Sequence, residues 1–237
     1  MKKQYKAVIF DLDGTLLDTL DDLMDATNFA LRSMGFAERT KDEIRRFVGN
    51  GVRKLIERAI PIGSDEKTAE DTLAIFKSRY AEHCEDTTRP YDGILPLLDH
   101  LRERGMLLAV ASNKIDSAVV PLCKSYFGDR FTFAIGERAG IGKKPAPDMI
   151  REVLCTLSLT ERDVVYVGDS EVDVETAKNA GMDCISVTWG FRDIDVLRRA
   201  WGIPLGEGIT DEDGCCIGDI RAYFANTPKD LENILMK

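Results

Sequence analysis

Short apolar runs punctuate the chain: "KAVIF" (6–10), "LLAVAS" (107–112), "FTFAI" (131–135), "VVYVG" (164–168) and "CISVT" (184–188). Each has the length of a buried strand and the β-branched or aromatic content that strands favour. Between most of them the apolar positions recur every three or four residues. "ILPLLDHLRERG" (94–105), "DMIREVLCTLSL" (148–159) and "VDVETAKNAG" (172–181) therefore predict amphipathic helices, with Gly105 as a C-cap for the first. Strands alternating with helices predict an α/β fold, a Rossmann-like doubly wound parallel sheet covered on both faces. One stretch breaks the rhythm. From 18 to 87 the pattern is helical throughout, too long for a single crossover, and predicts a helical domain inserted after the first strand. The α/β core is then 1–17 and 88–237. After "VTWGF" (187–191) a short helix and a last strand within "RAYFANTPKDLENIL" (221–235) are expected. Residues 200–219, "AWGIPLGEGITDEDGCCIGD", intervene as an elaborated loop or contact surface, and their acidic "DEDG" lacks the spacing of a calcium loop.

Doubly wound sheets bind ligands beyond the carboxyl ends of their strands, so the residue after each apolar run is informative. Asp11 and Asp13 follow the first run, Ser112-Asn113-Lys114 end the second, and Asp169 follows the fourth. Lys144 stands in a "GIGKKPAPD" loop (140–148) after the third. The groups suited to phosphate chemistry thus gather at one end of the sheet. Helix capping is the competing account for some of them, since Asp169 and Ser170 precede a helical segment. "GERAGIGKK" lacks both the glycine spacing and the final Ser/Thr of a phosphate-binding P-loop, and that reading is rejected.

Composition narrows the class. The chain has 237 residues, 44% hydrophobic and 31% charged, with a formal net charge of −9. That charge argues against a nucleic-acid or anionic-membrane surface. No segment approaches the roughly 20 apolar residues of a membrane helix, and four apolar residues before Asp11 are too few for a secretory signal. The six cysteines, at 84, 123, 155, 184, 215 and 216, include no CxxC and read as reduced thiols, with Cys215 and Cys216 adjacent in a loop. A cytoplasmic location is expected. The only histidines, His83 and His100, sit in polar helical text, which disfavours a serine triad or a histidine-rich metal site.

"DLDGTLLD" (11–18), "SNK" (112–114), "KPAPD" (144–148) and "GDSEVD" (168–173), in this order, resemble the haloacid dehalogenase superfamily of Asp-nucleophile phosphotransferases. The resemblance spans most of the chain. It implies an Asp11 nucleophile that forms an aspartyl-phosphate, and Asp13 as the general acid and base. It implies Mg²⁺ held by the Asp11 and Asp169 side chains and the Asp13 carbonyl, with Asp173 either a further ligand or a support for the others. Ser112 and Lys144 would hold the phosphoryl oxygens, and Gly14 and Thr15 would shape the loop around them with Asn113 nearby. Lys143 has the wrong spacing to Pro145 and Pro147 and reads as a solvated neighbour. Asp13 itself argues for phosphoryl transfer, because relatives that cleave carbon–halogen bonds lack an acid there.

Within the helical stretch, "IRRFVGNGVRKLIER" (44–58) resembles the cap of phosphoglycolate phosphatases, with Asn50, Gly51 and Arg53 expected at the non-phosphate end of the substrate. Linkers near 16–20 and 84–92 suggest a cap that opens and closes. The expected partner is a small phosphorylated metabolite, and the chain a monomer or homodimer. Pyrophosphatases and sugar- or nucleotide-phosphate phosphatases share much of the pattern and remain alternatives. A mutase is disfavoured, since Leu23 stands roughly where the mutases carry a histidine. A non-catalytic binding relative is disfavoured by the intact acids, Ser112 and Lys144.

Overall fold

The computed structural model describes residues 4–204 and 214–236. The chain divides into two compact units, one from Met1–Leu16 and Pro90–Lys237, the other from Leu17–Arg89. In chain order the elements begin with β1 (Ala7–Phe10) and β2 (Leu17–Asp18), then α1 (Leu20–Ser33), α2 (Lys41–Phe47), α3 (Val52–Ala59) and α4 (Glu66–His83). Next come β3 (Arg89–Pro90), α5 (Ile94–Glu103), β4 (Leu107–Ile115), α6 (Asp116–Phe127), β5 (Phe133–Glu137) and α7 (Asp148–Leu157). The chain continues through β6 (Val164–Gly168), α8 (Glu171–Ala180), β7 (Asp183–Val187) and α9 (Ile194–Trp201), and ends with β8 (Cys215–Ile217), β9 (Ile220–Ala225) and α10 (Pro228–Met236).

In the first unit the strands form one sheet in the order β5-β4-β1-β6-β7-β9-β8. Every neighbouring pair is parallel except β8 with β9. β1 lies inside the sheet, with Val8 opposite Leu108 of β4 on one side and Val165 of β6 on the other. Every residue of β1 and β6 is buried, which is why these strands read as continuous apolar runs rather than alternating ones. Parallel pairing at this register puts the carboxyl ends of β1, β4 and β6 side by side. On one face of the sheet Ile9, Ala109, Ala111, Met149, Tyr166 and Trp201 share a buried core cluster.

Three details differ from expectation. β4 runs on to Ile115, with an irregular register against β5 between Ala111 and Ile115, so Ser112, Asn113 and Lys114 are strand residues. The last strand, β9, lies beside β7, and an unexpected edge strand, β8, returns against it through Gly218 and Asp219. Cys215 and Cys216 therefore stand on a strand, and all six cysteines are free thiols. Of the 200–219 segment, the acidic residues 211–213 lie outside the described residues. At the start of β7, the buried Asp183 carboxylate accepts from Tyr5 Oη at 2.7 Å and from the Arg221 N–H at 2.8 Å, tying the chain start to β7 and β9.

The second unit is helical, apart from the short pairing of β2 with β3. Leu31, Ile44, Leu55, Ile56, Leu73 and Phe76 are buried on the apolar sides of its helices. Thr40 and Glu43 form a capping box at the start of α2, and Asp65 caps α4 through the Thr68 N–H. Gly49 (φ 118°) and Gly51 (φ 82°) separate α2 from α3 in backbone conformations that side chains disfavour. The buried Asp22 of α1 accepts from the N–H groups of Thr87 and Thr88, each at 2.9 Å, and so fastens the returning segment. Among the described residues no helix is long and apolar enough to cross a membrane.

The loop after β7 packs against the loop after β1. Trp189 Nε1 donates to the Thr15 carbonyl at 3.1 Å, and a Cβ placed on Gly190 would lie 2.3 Å from the Gly14 carbonyl oxygen. Backbone cannot step aside as a flexible side chain does. Gly190→Ala is accordingly expected to lower unfolding stability by about 1–3 kcal/mol, as overpacking does. Urea unfolding followed by circular dichroism checks this, and an unchanged midpoint would show that the two loops have room to separate.

Candidate active site

Asp11 is placed by β1 just beyond its last residue, and its N–H donates to the Val167 carbonyl at 2.8 Å, continuing the sheet ladder. The strand thus carries the carboxylate into a buried position. Oδ1 accepts the Leu12 N–H at 2.7 Å and lies 2.8 Å from the Lys144 ammonium. That ammonium lies equally close, 2.8 Å, to Asp173 Oδ1, and 3.0 Å from Tyr166 Oη. The Lys144 side chain is only 2% exposed. Its loop is held by Asn113, whose side-chain amide donates to the Lys144 carbonyl at 3.0 Å. Lys143, next to it, reaches Glu137 at the exposed edge of the loop.

Asp173 has a double task. Oδ2 accepts the Ser170 N–H at 3.0 Å and the Ser170 hydroxyl at 2.6 Å, a capping box at the start of α8. Oδ1 takes Lys144 and the Tyr166 hydroxyl, the latter at 2.9 Å. Both oxygens are therefore engaged within the protein. The helix-capping role weighed from the sequence falls on Ser170 and Asp173, and Asp169 has other partners. Asp169 Oδ1 accepts from Thr15 Oγ1 at 3.2 Å, and Oδ2 from the Phe191 N–H at 2.7 Å. Gly14 (φ 86°) passes so near that a Cβ there would lie 2.4 Å from Asp169 Oδ2.

Asp13 faces a different cation. Its two oxygens lie 3.1 and 3.4 Å from the ammonium of Lys114, whose side chain is 5% exposed. The Lys114 N–H donates to Ser112 Oγ at 3.2 Å, so Ser112, Lys114 and Asp13 form one connected group. The two acids of the first motif are thus paired with separate lysines.

One oxygen from each of Asp11, Asp169 and Asp173 lies within 4.8 Å of the other two. Burial pushes the Asp11 carboxyl up to about 7, with Lys144 opposing and Asp173 and Asp13 adding to the rise. Asp169 is raised well above the usual range by burial first and then by Asp173 and Asp11. Burial would also raise Asp173, but Lys144 and the hydrogen bonds from Lys144, Ser170 and Tyr166 outweigh it and hold that carboxyl low. For Lys144 burial opposes the charge, and Asp11 and Asp173 more than restore it. Asp11, paired with Lys144, and Asp169, whose bonds come from Thr15 and the Phe191 N–H, thus form a buried acidic pair, a donor set that suits a hard divalent ion such as Mg²⁺.

Asn50, Gly51 and Arg53 belong to the second unit. Asn50 Oδ1 accepts from Arg58 at 2.8 Å. The Arg53 guanidinium is engaged by Glu57 at 3.1 Å, by Glu70 at 2.8 Å and by Glu66. Its charge is therefore met within its own helices. Sequence reasoning passed over Tyr166, which reads as one more apolar strand position, and gave Lys114 no role beyond its place in "SNK". It also passed over the Trp189–Phe191 backbone, whose contribution is an N–H that any residue type carries.

Comparison with known proteins shows the family. Residues 8–187 match the family model of haloacid dehalogenase-like hydrolases. A phosphoglycolate phosphatase of Pseudomonas putida is 36% identical over 192 residues, covering 78% of this chain and 70% of that one. A crystal structure from Lactobacillus delbrueckii subsp. bulgaricus, described as a candidate phosphoglycolate phosphatase, is 35% identical with a TM-score of 0.86 and covers 98% of both chains. CbbY from Rhodobacter sphaeroides, solved in complex with phosphate, is 27% identical with a TM-score of 0.60, over 78% of this chain and 86% of that one. With the family model spanning most of its length and relatives this similar, the chain belongs to the haloacid dehalogenase-like hydrolases.

Proposed function

We propose that the protein is a cytoplasmic, Mg²⁺-dependent phosphatase that hydrolyses a small phosphate monoester, phosphoglycolate foremost, through an aspartyl-phosphate on Asp11. The observation that carries this reading is the buried Asp11 carboxylate, held by Lys144 and set against Asp169 in a cluster of three acids. The relatives named phosphoglycolate phosphatase support this choice of substrate. Asp11 and Asp169 side chains and the Asp13 carbonyl would hold Mg²⁺, since each Asp169 oxygen accepts only one hydrogen bond, and Asp173, each of whose oxygens already accepts two, supports Lys144 and the start of α8. When bound, the ion neutralises carboxylate and phosphate charge so that the two can approach.

The chain's own residues then divide the work. An Asp11 carboxylate oxygen attacks phosphorus as the ester P–O bond breaks, and Asp13 gives a proton to the departing alkoxide oxygen. Water next attacks phosphorus, Asp13 takes its proton, and the bond from phosphorus to Asp11 breaks. The alcohol, inorganic phosphate and the original carboxylate remain. Lys144 stays beside Asp11 throughout and, with the Ser112 hydroxyl, offers positive charge and a donor to the phosphoryl oxygens. Thr15 holds Asp169 in place and Asn113 the Lys144 loop.

Asp11→Asn is expected to reduce turnover of a generic phosphate ester by at least about a thousandfold while the circular dichroism spectrum is kept. Substantial residual activity in the folded variant would exclude Asp11 as the nucleophile. A comparison of kcat/KM across phosphoglycolate, pyrophosphate, sugar phosphates and nucleotides is expected to rank phosphoglycolate first, and pyrophosphate in first place would transfer the reading to that substrate.

The acids also set a pH dependence. Between the ordinary carboxylate range and about 7, Asp11 keeps a proton in the folded state that the unfolded chain has released. Metal-free stability must then fall as pH rises through that window. Mg²⁺ should relieve this, so its increase in Tm is expected to be larger at pH 8 than at pH 5.5. Equal shifts at both values, read by differential scanning fluorimetry, would mean that the ion does not sit on these carboxylates.

A further inference from the structure

We propose that Tyr166 is a positioning residue for the reaction, acting through Lys144. The inference rests on the reading of Asp11 as nucleophile and deepens it. Tyr166 lies in the middle of β6, a strand otherwise made of Val164, Val165, Val167 and Gly168, and it is fully buried. Packing alone would be met by an apolar residue of similar size. Its ring shares the core cluster with Ala109 and Ala111, whose small side chains suit a large neighbour. The hydroxyl, however, emerges at the underside of the acid cluster.

There it closes a triangle. Tyr166 Oη lies 3.0 Å from the Lys144 ammonium and 2.9 Å from Asp173 Oδ1, while Lys144 and Asp173 are 2.8 Å apart. Lys144 can only donate, so the hydroxyl oxygen accepts from it and passes its own hydrogen to Asp173. The Ala111 carbonyl, 3.4 Å away, is a weaker alternative acceptor. A lysine is a flexible stem with three donors, and an ammonium held by carboxylates alone can swing between them. Here two of its donors are fixed by Tyr166 and Asp173, and the third is left aimed at Asp11 Oδ1. The tyrosine also fixes Asp173, whose other oxygen caps α8. The aim of the cation is thereby set by a rigid strand instead of by its loop, which is the condition for a group that must meet charge only as it develops.

Tyr166→Phe keeps the ring and deletes one oxygen. With p-nitrophenyl phosphate and Mg²⁺, its kcat is expected to fall about tenfold, the scale of one hydrogen bond to a charged group, with KM changed by less than about twofold. The decisive measurement is a double-mutant cycle in single-turnover mode with Lys144→Met, where adding Tyr166→Phe is expected to change the rate by less than about twofold. An equal tenfold loss in both backgrounds would reduce Tyr166 to a structural residue and overturn the proposal. Asp11→Asn, assayed alongside, separates this from the underlying reading: if it is inactive while Tyr166→Phe matches the wild type, the inference falls and the nucleophile assignment stands.

Discussion

The lysine buried between Asp11 and Asp173 is the interaction on which the rest of the site depends. Several carboxylates removed from water would raise one another's energy steeply, and a buried charge persists only when it is paired and hydrogen-bonded. Lys144 meets that condition for two acids at once, and Lys114 does the same for Asp13. Four carboxylates against two ammonium groups still leave an excess of negative charge around Asp11 and Asp169. The protein resolves part of it by holding protons more tightly, which is the meaning of the raised Asp11 and Asp169 values. A divalent ion, as proposed, would offset the same excess without protons and leave the Asp11 carboxylate unprotonated. The electrostatic strain of the acid cluster and its proposed affinity for Mg²⁺ are one property.

Backbone proximity makes this cluster possible. Asp11 and Asp169 extend from strands that pair directly, so their separation is set by sheet spacing rather than by loop conformation. Gly14, Gly168 and Gly190 then let backbone pass at distances where a Cβ would collide with Asp169, Asp173 or the Gly14 carbonyl. Polar support comes from groups with one conformation to adopt: the Phe191 N–H on Asp169, the Ser170 N–H on Asp173, and the Tyr166 hydroxyl on a β-strand. A site built this way loses little conformational freedom when substrate arrives, which is what preorganised electrostatic catalysis requires.

Much of this was legible in the residues. Continuous apolar runs announced the central strands, because strands buried on both faces can carry little else. The acids at strand ends were conspicuous because their charge contradicts the core they adjoin, and the Lys144 loop was marked by its two prolines. Tyr166 escaped notice for the opposite reason: a tyrosine inside an apolar run fits the strand pattern, and its hydroxyl acquires meaning only from what lies above it. β8 escaped as well, since three residues with mixed exposure carry no periodic signal and pair only because β9 is already in place. Arg53 was conspicuous as a cation beside a glycine turn, yet two of its three carboxylate partners come from α4, across a sequence gap that no local reading spans.

The sequence by itself determined the class of fold, the order of its strands along the chain, and the chemistry available at their ends, because these depend on local periodicity and on residue type. Only the tertiary structure decided which acid meets which lysine, that Asp173 has both oxygens occupied, and that a core tyrosine touches the site. Those outcomes depend on distances between segments far apart in the chain. Such distances are set by sheet register and by the space glycines leave open, and neither is written in any single stretch of residues.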